Sequence, residues 1–164
     1  MNEAEFSELL GEHAPMLGRV AANYEADSAA REDLLQDIAL ALWRALPQWR
    51  GEASLRSFVA RIAHNCCVNH IVRQQRHRHD DMVEDAFVDE RADPHRDAVS
   101  HERYERLQRA LRRLPLGQRQ AVTLALEGFS HTEIAAALDI GINNADQRVG
   151  RARRTLTRYL EEES

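Results

Sequence analysis

The chain has 164 residues and a formal net charge of −5, a length that fits one domain or two small ones. Charged residues make up 30% of the sequence and aromatic residues only 5%, which favours a soluble, helix-rich protein with small cores. No apolar run approaches the ~20 residues that cross a membrane, and the N-terminus has no signal-peptide pattern. The sequence therefore predicts a cytoplasmic protein without membrane insertion.

The charges alternate in four blocks along the chain. Residues 1–43 carry nine acidic side chains and two arginines, whereas residues 44–79 carry seven arginines and one acid. Residues 80–105 carry ten acids and three arginines, and residues 106–164 carry ten arginines and seven acids. The two basic blocks are typical of surfaces that face phosphates, although ordinary solvated helix faces give the same pattern. Every basic residue is arginine, which suits phosphate and guanine edges; a mutational bias of the source genome explains this equally well.

Apolar residues in the first 78 positions are spaced as in three helices. Pro15 is expected to bend or break the first helix. The second is predicted from about Ala29 to Leu46, and Pro47 ends it. The residues that this second helix is expected to bury are Leu34, Leu35, Ile38, Leu42 and Leu46. Ser54 is a good N-cap for a long third helix. The residues that this third helix is expected to bury are Leu55, Phe58, Val59, Ile62, Cys66 and Ile71.

The helical pattern fails between His77 and Ser100. This segment is acid-rich, contains Pro94 and has no sustained apolar face, so it buries too little to offset the entropy of ordering it. We interpret residues 79–100 as a flexible acidic linker between a helical domain at residues 1–78 and another at residues 101–164. The predicted fold class is all-α, with each domain near the lower size limit of an independent core.

Residues 130–156 have the pattern of a helix-turn-helix, a motif whose second helix enters the DNA major groove. Ser130 and Glu133 form a capping box at the start of its first helix, and Gly141 is expected to supply the turn. An amphipathic hairpin in a helical bundle is the alternative. The residues that the second helix is expected to bury are Ile142, Ala145, Val149, Ala152 and Leu156.

Two stretches together resemble the extracytoplasmic-function (ECF) sigma factors of bacterial RNA polymerase. The segments "REDLLQD", "ALWRALPQWRGEASLRSF" and "RIAHN" look like region 2 of that family, and "LRRLPLGQRQAVTLALEGFSHTEIAAALDIG" is similar to region 4. They occur in the family's order and cover roughly residues 5–78 and 102–160. The resemblance implies a sigma factor, which binds core RNA polymerase and directs promoter recognition, promoter opening and transcription initiation.

The resemblance to region 2 implies two binding surfaces. The second helix would dock on the clamp helices of the polymerase β′ subunit through Asp33, Gln36 and Asp37. Acids at a helix start are also favoured by the macrodipole, which holds for Asp33 in any case. The third helix and the loop before it would engage the −10 promoter element and a base flipped out of the duplex. The residues assigned to the −10 element are Asn65, Asn69, Trp49, Arg50, Arg56, Arg61 and Arg73. Packing in the core between helices explains Trp49 equally well.

The resemblance to region 4 implies contact with the polymerase β flap and with the −35 element. The residues assigned to −35 DNA are Asn144, Gln147, Arg148, Arg151 and Arg154. The stretch Asn144-Ala145-Asp146 replaces a frequent Thr-Val-Lys of the family, which leaves the −35 sequence open. We expect Asp146 to lie in the first turn, where the macrodipole favours it. Phosphate repels this carboxylate unless it accepts from a cytosine amine or pairs with a nearby arginine, so we expect it to act as a filter against wrong sequences and not as a source of affinity.

Other functions compete with this interpretation. The main alternative is a stand-alone helix-turn-helix regulator that binds DNA without polymerase, but it has no need of the "EDLLQD" helix. A sigma-like subunit that only scaffolds another protein is a third hypothesis.

Four histidines between 64 and 79 with Cys66 and Cys67 fit no tetrahedral metal site, and the adjacent cysteines indicate reduced thiols. The sequence predicts no enzyme, no cofactor and no metal. Many members of the resembled family are held inactive by an anti-sigma factor, a further partner to consider.

Overall fold

The structure, a computed structural model, describes residues 1–80 and 98–163, with side chains described up to His77 in the first stretch. Every regular element in these residues is helical, so the predicted all-α class is confirmed. The helices are α1 Glu3–Ala22, α2 Ser28–Ala45, α3 Leu55–Asp80, α4 Ala98–Arg113, α5 Leu116–Leu126, α6 His131–Leu138 and α7 Ile142–Glu162, with a 3₁₀ turn at Leu46–Gln48. No helix in the described ranges is both long and apolar enough to cross a membrane.

The chain divides into two compact units, Met1–Val88 and Asp89–Ser164. We call their described parts the N-terminal unit (residues 1–80) and the C-terminal unit (residues 98–163). Helix α3 continues to Asp80 and α4 begins at Ala98, so helical structure enters both ends of the predicted linker at residues 79–100. The stretch before Asp80 contains no glycine or proline that would end a helix. The predicted flexibility of residues 81–97 lies outside the described residues.

Short polar side chains cap the starts of four helices, each by accepting a hydrogen bond from a backbone amide. The first N–H groups of a helix have no partner within the helix and need such an acceptor. The predicted N-caps at Ser54 and Ser130 are confirmed, the latter with the reciprocal contact of Glu133 that completes a capping box. The capped amides are those of Glu5 by Asn2, Ala30 by Asp27, Ser57 by Ser54 and Glu133 by Ser130.

Helix α1 runs without interruption through Pro15, so the expected break there is wrong. Proline removes one amide donor, which costs most where the carbonyl four residues earlier is buried. Here that carbonyl belongs to Gly11, and both residues lie on the exposed side of the helix. The buried residues that hold α1 on either side of Pro15 are Leu9, Met16, Leu17 and Val20.

Helices α1, α2 and α3 pack against one another in the N-terminal unit. Helix α2 buries its stripe Leu34, Ile38 and Leu42 completely, as the pattern predicted. Helix α3 packs against this stripe mainly through small residues. Its buried positions are Val59, Ala60, Ala63, Cys67 and the larger His64. The predicted burial of Cys66 is therefore wrong by one residue, since Cys67 takes the inward position. The residues predicted as core that are only half-buried are Leu35, Leu55, Phe58, Ile62 and Ile71.

The long helix α7 is the centre of the C-terminal unit, and α4, α5 and α6 all pack against it. Its apolar face joins α4 and α5 in one cluster formed by Ala110, Leu111, Leu114, Val122, Ala152 and Leu156. The buried Arg119 of α5 donates to the carbonyls of Arg112 and Leu114 at 2.8 and 3.0 Å. Because these carbonyls end α4 without intrahelical partners, Arg119 satisfies them and joins the two helices.

Candidate nucleic-acid interface

Helix α2 presents an acidic face on the side opposite to its buried leucines. Asp33, Gln36 and Asp37 are all exposed, at spacings that place them on one helix face. Leu40 continues the same face one turn further and is also exposed, although the sequence interpretation did not single it out.

The loop between α2 and α3 is closed by Trp49. Its indole Nε1 donates to the carbonyl of Ala53 at 3.0 Å, and the side chain remains 36% exposed. Gly51 between them has a φ of 78°, a left-handed conformation that favours glycine. Trp49 thus holds a tight loop and does not fill the core between helices, while Arg50 and Arg56 flank it with exposed guanidinium groups.

Helix α3 carries a stripe of four exposed polar residues at intervals of four: Arg61, Asn65, Asn69 and Arg73. A spacing of four residues keeps successive side chains on one slowly winding face of a helix. Two asparagine amides with an arginine at either end form a surface that can meet base edges and phosphates together. We call this set the α3 stripe.

The inner side of α3 is held by buried polar contacts that sequence reasoning missed. His64 Nδ1 contacts the hydroxyl of Tyr24 at 3.1 Å, and His70 Nε2 contacts the carboxylate of Glu25 at 3.1 Å. Gln74 donates to the same carboxylate, which is itself buried. These contacts fix the part of α3 that displays the stripe. The two residues in each contact are 40 or more positions apart in the chain, so no local pattern indicates these contacts.

Burial also sets the chemistry of the groups considered as metal ligands. Burial lowers the pKa of His64 to about 4, so its ring is neutral near neutral pH. Burial raises the pKa of the Cys66 thiol, with a further contribution from the charge of Asp37, and burial likewise raises the pKa of Cys67. Across residues 1–77 and 98–163 no three His, Cys, Asp or Glu side chains are grouped to hold a metal ion.

The acidic face and the α3 stripe meet at one ion pair. Arg73 Nη2 lies 3.5 Å from Asp37 Oδ2, with side chains 60% and 53% exposed. A pair as exposed as this contributes little to stability, about 0–1 kcal/mol. The position of the pair matters more than its energy, because Asp37 belongs to the acidic face and Arg73 to the α3 stripe.

Helices α6 and α7 form the predicted helix-turn-helix, but its turn differs from the expectation. Asp139, with a φ of 54°, is the left-handed residue that ends α6, and Gly141 has an ordinary φ of −72° as the N-cap of α7. Asparagine and aspartate tolerate the left-handed region better than other side chains, which explains why Asp139 can take this position. The predicted burial of Ile142 is also wrong, because this first residue of α7 is exposed.

The outer face of α7 is polar, as predicted. Asn144, Gln147, Arg151 and Arg154 are exposed there. Arg148 is half-buried, and its Nε donates to Asn144 Oδ1 at 3.2 Å. This contact fixes the guanidinium of Arg148 along the helix and leaves the other polar side chains open to a partner.

Asp146 differs most from the sequence interpretation. It is the fifth residue of α7, in the second turn, so its expected place in the first turn is wrong. Its carboxylate contacts Nδ1 of His131, the first residue of α6, and not an arginine. Sequence reasoning passed over His131 because fifteen residues separate the partners and only the packing of α6 on α7 brings them together.

These features define a helical DNA-binding protein of two units, one of which carries a helix-turn-helix. The family model for Sigma-70 region 2 matches residues 9–77, and the model for Sigma-70 region 4 matches residues 104–156. The ECF RNA polymerase sigma factor SigM of Mycobacterium tuberculosis is 30% identical over 94% of this chain and 76% of its own length. The chain belongs to the ECF sigma factors of RNA polymerase, and it directs transcription initiation.

Solved structures of sigma factors share the fold. The sigma factor RpoE in complex with the anti-sigma factor NepR, from Bartonella quintana, superposes with a TM-score of 0.79 at 24% identity, covering 96% of this chain and 97% of that one. CnrH in complex with the cytosolic domain of CnrY superposes with a TM-score of 0.73 at 25% identity, covering 99% and 92%. The prediction of a sigma factor is thus confirmed, and the stand-alone regulator is set aside.

Proposed function

We propose that this sigma factor binds core RNA polymerase through the N-terminal unit's acidic face and reads promoter DNA through the α3 stripe and α7. The observation that carries the proposal is the division of the N-terminal unit's surface into an acidic face on α2 and an Arg-Asn-Asn-Arg stripe on α3. On this assignment residues 1–78 bind the β′ clamp helices and the −10 element, and residues 101–164 bind the β flap and the −35 element. Such a protein works in the cytoplasm, where the bacterial chromosome lies.

The polymerase contact is assigned to Asp33, Gln36 and Asp37. Their side chains project from a helix whose opposite face is fully buried, so the face has a fixed orientation. Carboxylates on a rigid helix attract a basic partner and repel an acidic one, which gives the contact its specificity. Leu40 adds an apolar group at the edge of this face.

The test is binding of Asp37→Arg to core polymerase. We expect affinity to fall at least tenfold, while thermal unfolding stays close to that of the parent chain. Glu12→Arg on the exposed side of α1 makes the same change of charge and is the matched control. Because Asp37→Arg also removes the partner of Arg73, Arg73→Ala is measured beside it. Unchanged affinity of a folded Asp37→Arg would refute the docking assignment.

The −10 contact is assigned to the α3 stripe together with the loop closed by Trp49. Asparagine can form a bidentate contact with adenine, so Asn65→Ala should cost about 1–3 kcal/mol at one base pair only. Arg61 at the start of the stripe suits a phosphate contact, so Arg61→Ala should weaken all sequences alike and reduce the salt slope by about 1. Trp49 and the neighbouring Arg50 and Arg56 would hold and line the pocket for a flipped base.

Run-off transcription with core polymerase on a promoter library randomised at −10 separates these roles. A uniform loss for Asn65→Ala would mean that this side chain touches phosphate or supports the fold. A loss confined to one base pair for Arg61→Ala would contradict its assignment to phosphate.

The −35 contact is assigned to Asn144, Gln147, Arg148, Arg151 and Arg154 on α7. The second helix of a helix-turn-helix enters the major groove with its N-terminal residues at the base edges. Gln147 is the sixth residue of α7, in its second turn, and is exposed, which suits a base contact. Transcription from a library randomised at −35 should change at particular base pairs for Gln147→Ala and Arg151→Ala. An untouched profile for both would show that α7 is not the reader.

An anti-sigma factor is a further proposed partner. Two solved relatives of this fold are complexes of a sigma factor with such an inhibitor or with the cytosolic domain of CnrY. This likeness supports the proposal that a small protein holds the present chain inactive. The complex purified from the native host should transcribe weakly with core polymerase, and the chain stripped of its partner should transcribe strongly. Equal activity of both preparations would contradict it.

A further inference from the structure

The contact between His131 and Asp146 joins the two helices of the helix-turn-helix. His131 is the first residue of α6 and Asp146 stands in the second turn of α7, and their side chains are 42% and 51% exposed. The capping box at the start of α6 is completed by Ser130 and Glu133, so the His131 ring is not needed as a cap. The ring instead contacts the Asp146 carboxylate on the other helix.

We propose that His131 is a positioning residue for promoter reading, which orients the Asp146 carboxylate toward a base edge and, by donating a hydrogen bond to it, lessens its repulsion by the phosphates. The inference rests on the proposed function of α7 as the −35 reader. In a helix-turn-helix the first helix crosses the DNA backbone while the second lies in the major groove. A pair that links the start of the first helix to the second turn of the reading helix therefore stands where phosphates and base edges are close together.

The charge of Asp146 explains why a partner is needed. A carboxylate in the groove can accept from a cytosine amine, but phosphates on both sides repel it. Arg148, two residues further along the same helix, donates to Asn144, so its guanidinium is already directed elsewhere. His131 donates from Nδ1 to Oδ1 of the carboxylate, which leaves Oδ2 as the acceptor for a base.

The assignment goes beyond a filter made by Asp146 alone. A lone carboxylate would reduce affinity for every sequence, whereas a carboxylate held by His131 reduces it only where no base donor meets Oδ2. Loss of the imidazole should therefore change both the overall affinity and the preference at one base pair. A contact that served only the fold would change neither once the protein is folded.

The experiment measures holoenzyme binding across a −35 library for His131→Ala, His131→Asn, Asp146→Ala and the double alanine variant. Asparagine places its amide nitrogen near the position of Nδ1, so His131→Asn should keep the parent preference. His131→Ala should lower affinity for all sequences by about two- to fivefold, the range of one exposed side-chain contact, and flatten the preference at one base pair. The double alanine variant should regain the affinity of the parent protein but not its preference at that base pair. Thr132→Ala, the exposed neighbour on α6, is the matched control.

Three results would overturn the inference. One is a parent-like profile for His131→Ala beside a changed profile for Asp146→Ala. Another is a double variant as weak as His131→Ala, because His131 would then act independently of Asp146. The third is an untouched profile for both Gln147→Ala and Arg151→Ala, which would remove the proposed role of α7 as well. If those two variants change the profile and His131→Ala does not, only the role of His131 is lost.

Discussion

Mild acid should destabilise the N-terminal unit through one side chain, His64. Its ring projects from α3 and is buried against Tyr24, and this burial lowers its pKa from 6.5 to about 4. In the unfolded chain the same ring is in water and binds a proton more readily. Between these two pKa values the unfolded state therefore holds more protons, and folding becomes less favourable as the pH falls.

The size of the effect follows from the two pKa values. A pKa difference of this size corresponds to about 3 kcal/mol when the folded unit must take up the proton. The stability that His64 contributes is complete above about pH 6.5 and is lost as the pH falls toward about 4. Lowering the pH from about 7 to about 5 should cost about 2 kcal/mol of the free energy of unfolding.

The chain offers its own probe for this measurement. Its two tryptophans, Trp43 and Trp49, both lie in the N-terminal unit, so tryptophan fluorescence during urea denaturation of the full chain reports that unit. His64→Asn retains a group at the position of Nδ1 for the Tyr24 hydroxyl but does not titrate. It should lower stability at neutral pH and show a smaller loss on acidification than the parent.

His77→Asn, which changes an exposed histidine on the same helix, is the matched control and should keep the parent pH dependence. The reasoning fails if His64→Asn loses as much stability as the parent between the two pH values. It also fails if His77→Asn removes the dependence, because the titrating group would then be an exposed one.

Three further changes test single contacts. Glu25→Ala leaves the donors of His70 and Gln74 without their buried acceptor and should cost the N-terminal unit about 1–3 kcal/mol, measured by the same fluorescence titration; an unchanged midpoint would contradict this. Ser130→Ala removes the cap of α6 and should cost the C-terminal unit about 1 kcal/mol, visible as an earlier transition in circular dichroism, and a parent-like transition would count against the capping box. Asp139→Gly should stabilise that unit by about 1 kcal/mol because glycine adopts a positive φ without the side-chain penalty; an equal or lower melting temperature would contradict the strain argument.

The sequence was sufficient for the helix caps and for most of the buried stripes, which depend on neighbours along the chain. The N-caps Ser54 and Ser130 were predictable because each bonds an amide three residues away. The buried stripe of α2 and most of that of α7 were predictable because apolar residues recur at spacings of three and four. The resemblance to ECF sigma factors rested on such local stretches as well, and it was confirmed.

Errors arose where a choice depended on packing. Cys66 and Cys67 are both apolar enough for a core, and only the packing of α3 against α1 and α2 decides that Cys67 faces inward. Glycine is the usual left-handed residue, yet the turn before α7 places Asp139 there and leaves Gly141 as an N-cap. The partners of Asp146 and Glu25 come from other helices, so no spacing in the chain indicates His131 or His70.

The exposed pair between Asp37 and Arg73 constrains how this protein can diverge. On the proposed assignment, a substitution of Asp37 that suits a different polymerase also frees the charge of Arg73 on the DNA side. A substitution of Arg73 that suits a different promoter likewise leaves Asp37 more negative toward the polymerase. The two preferences are therefore coupled, and we expect them to change together. Among related chains, a change at either position should be accompanied by a compensating change at the other.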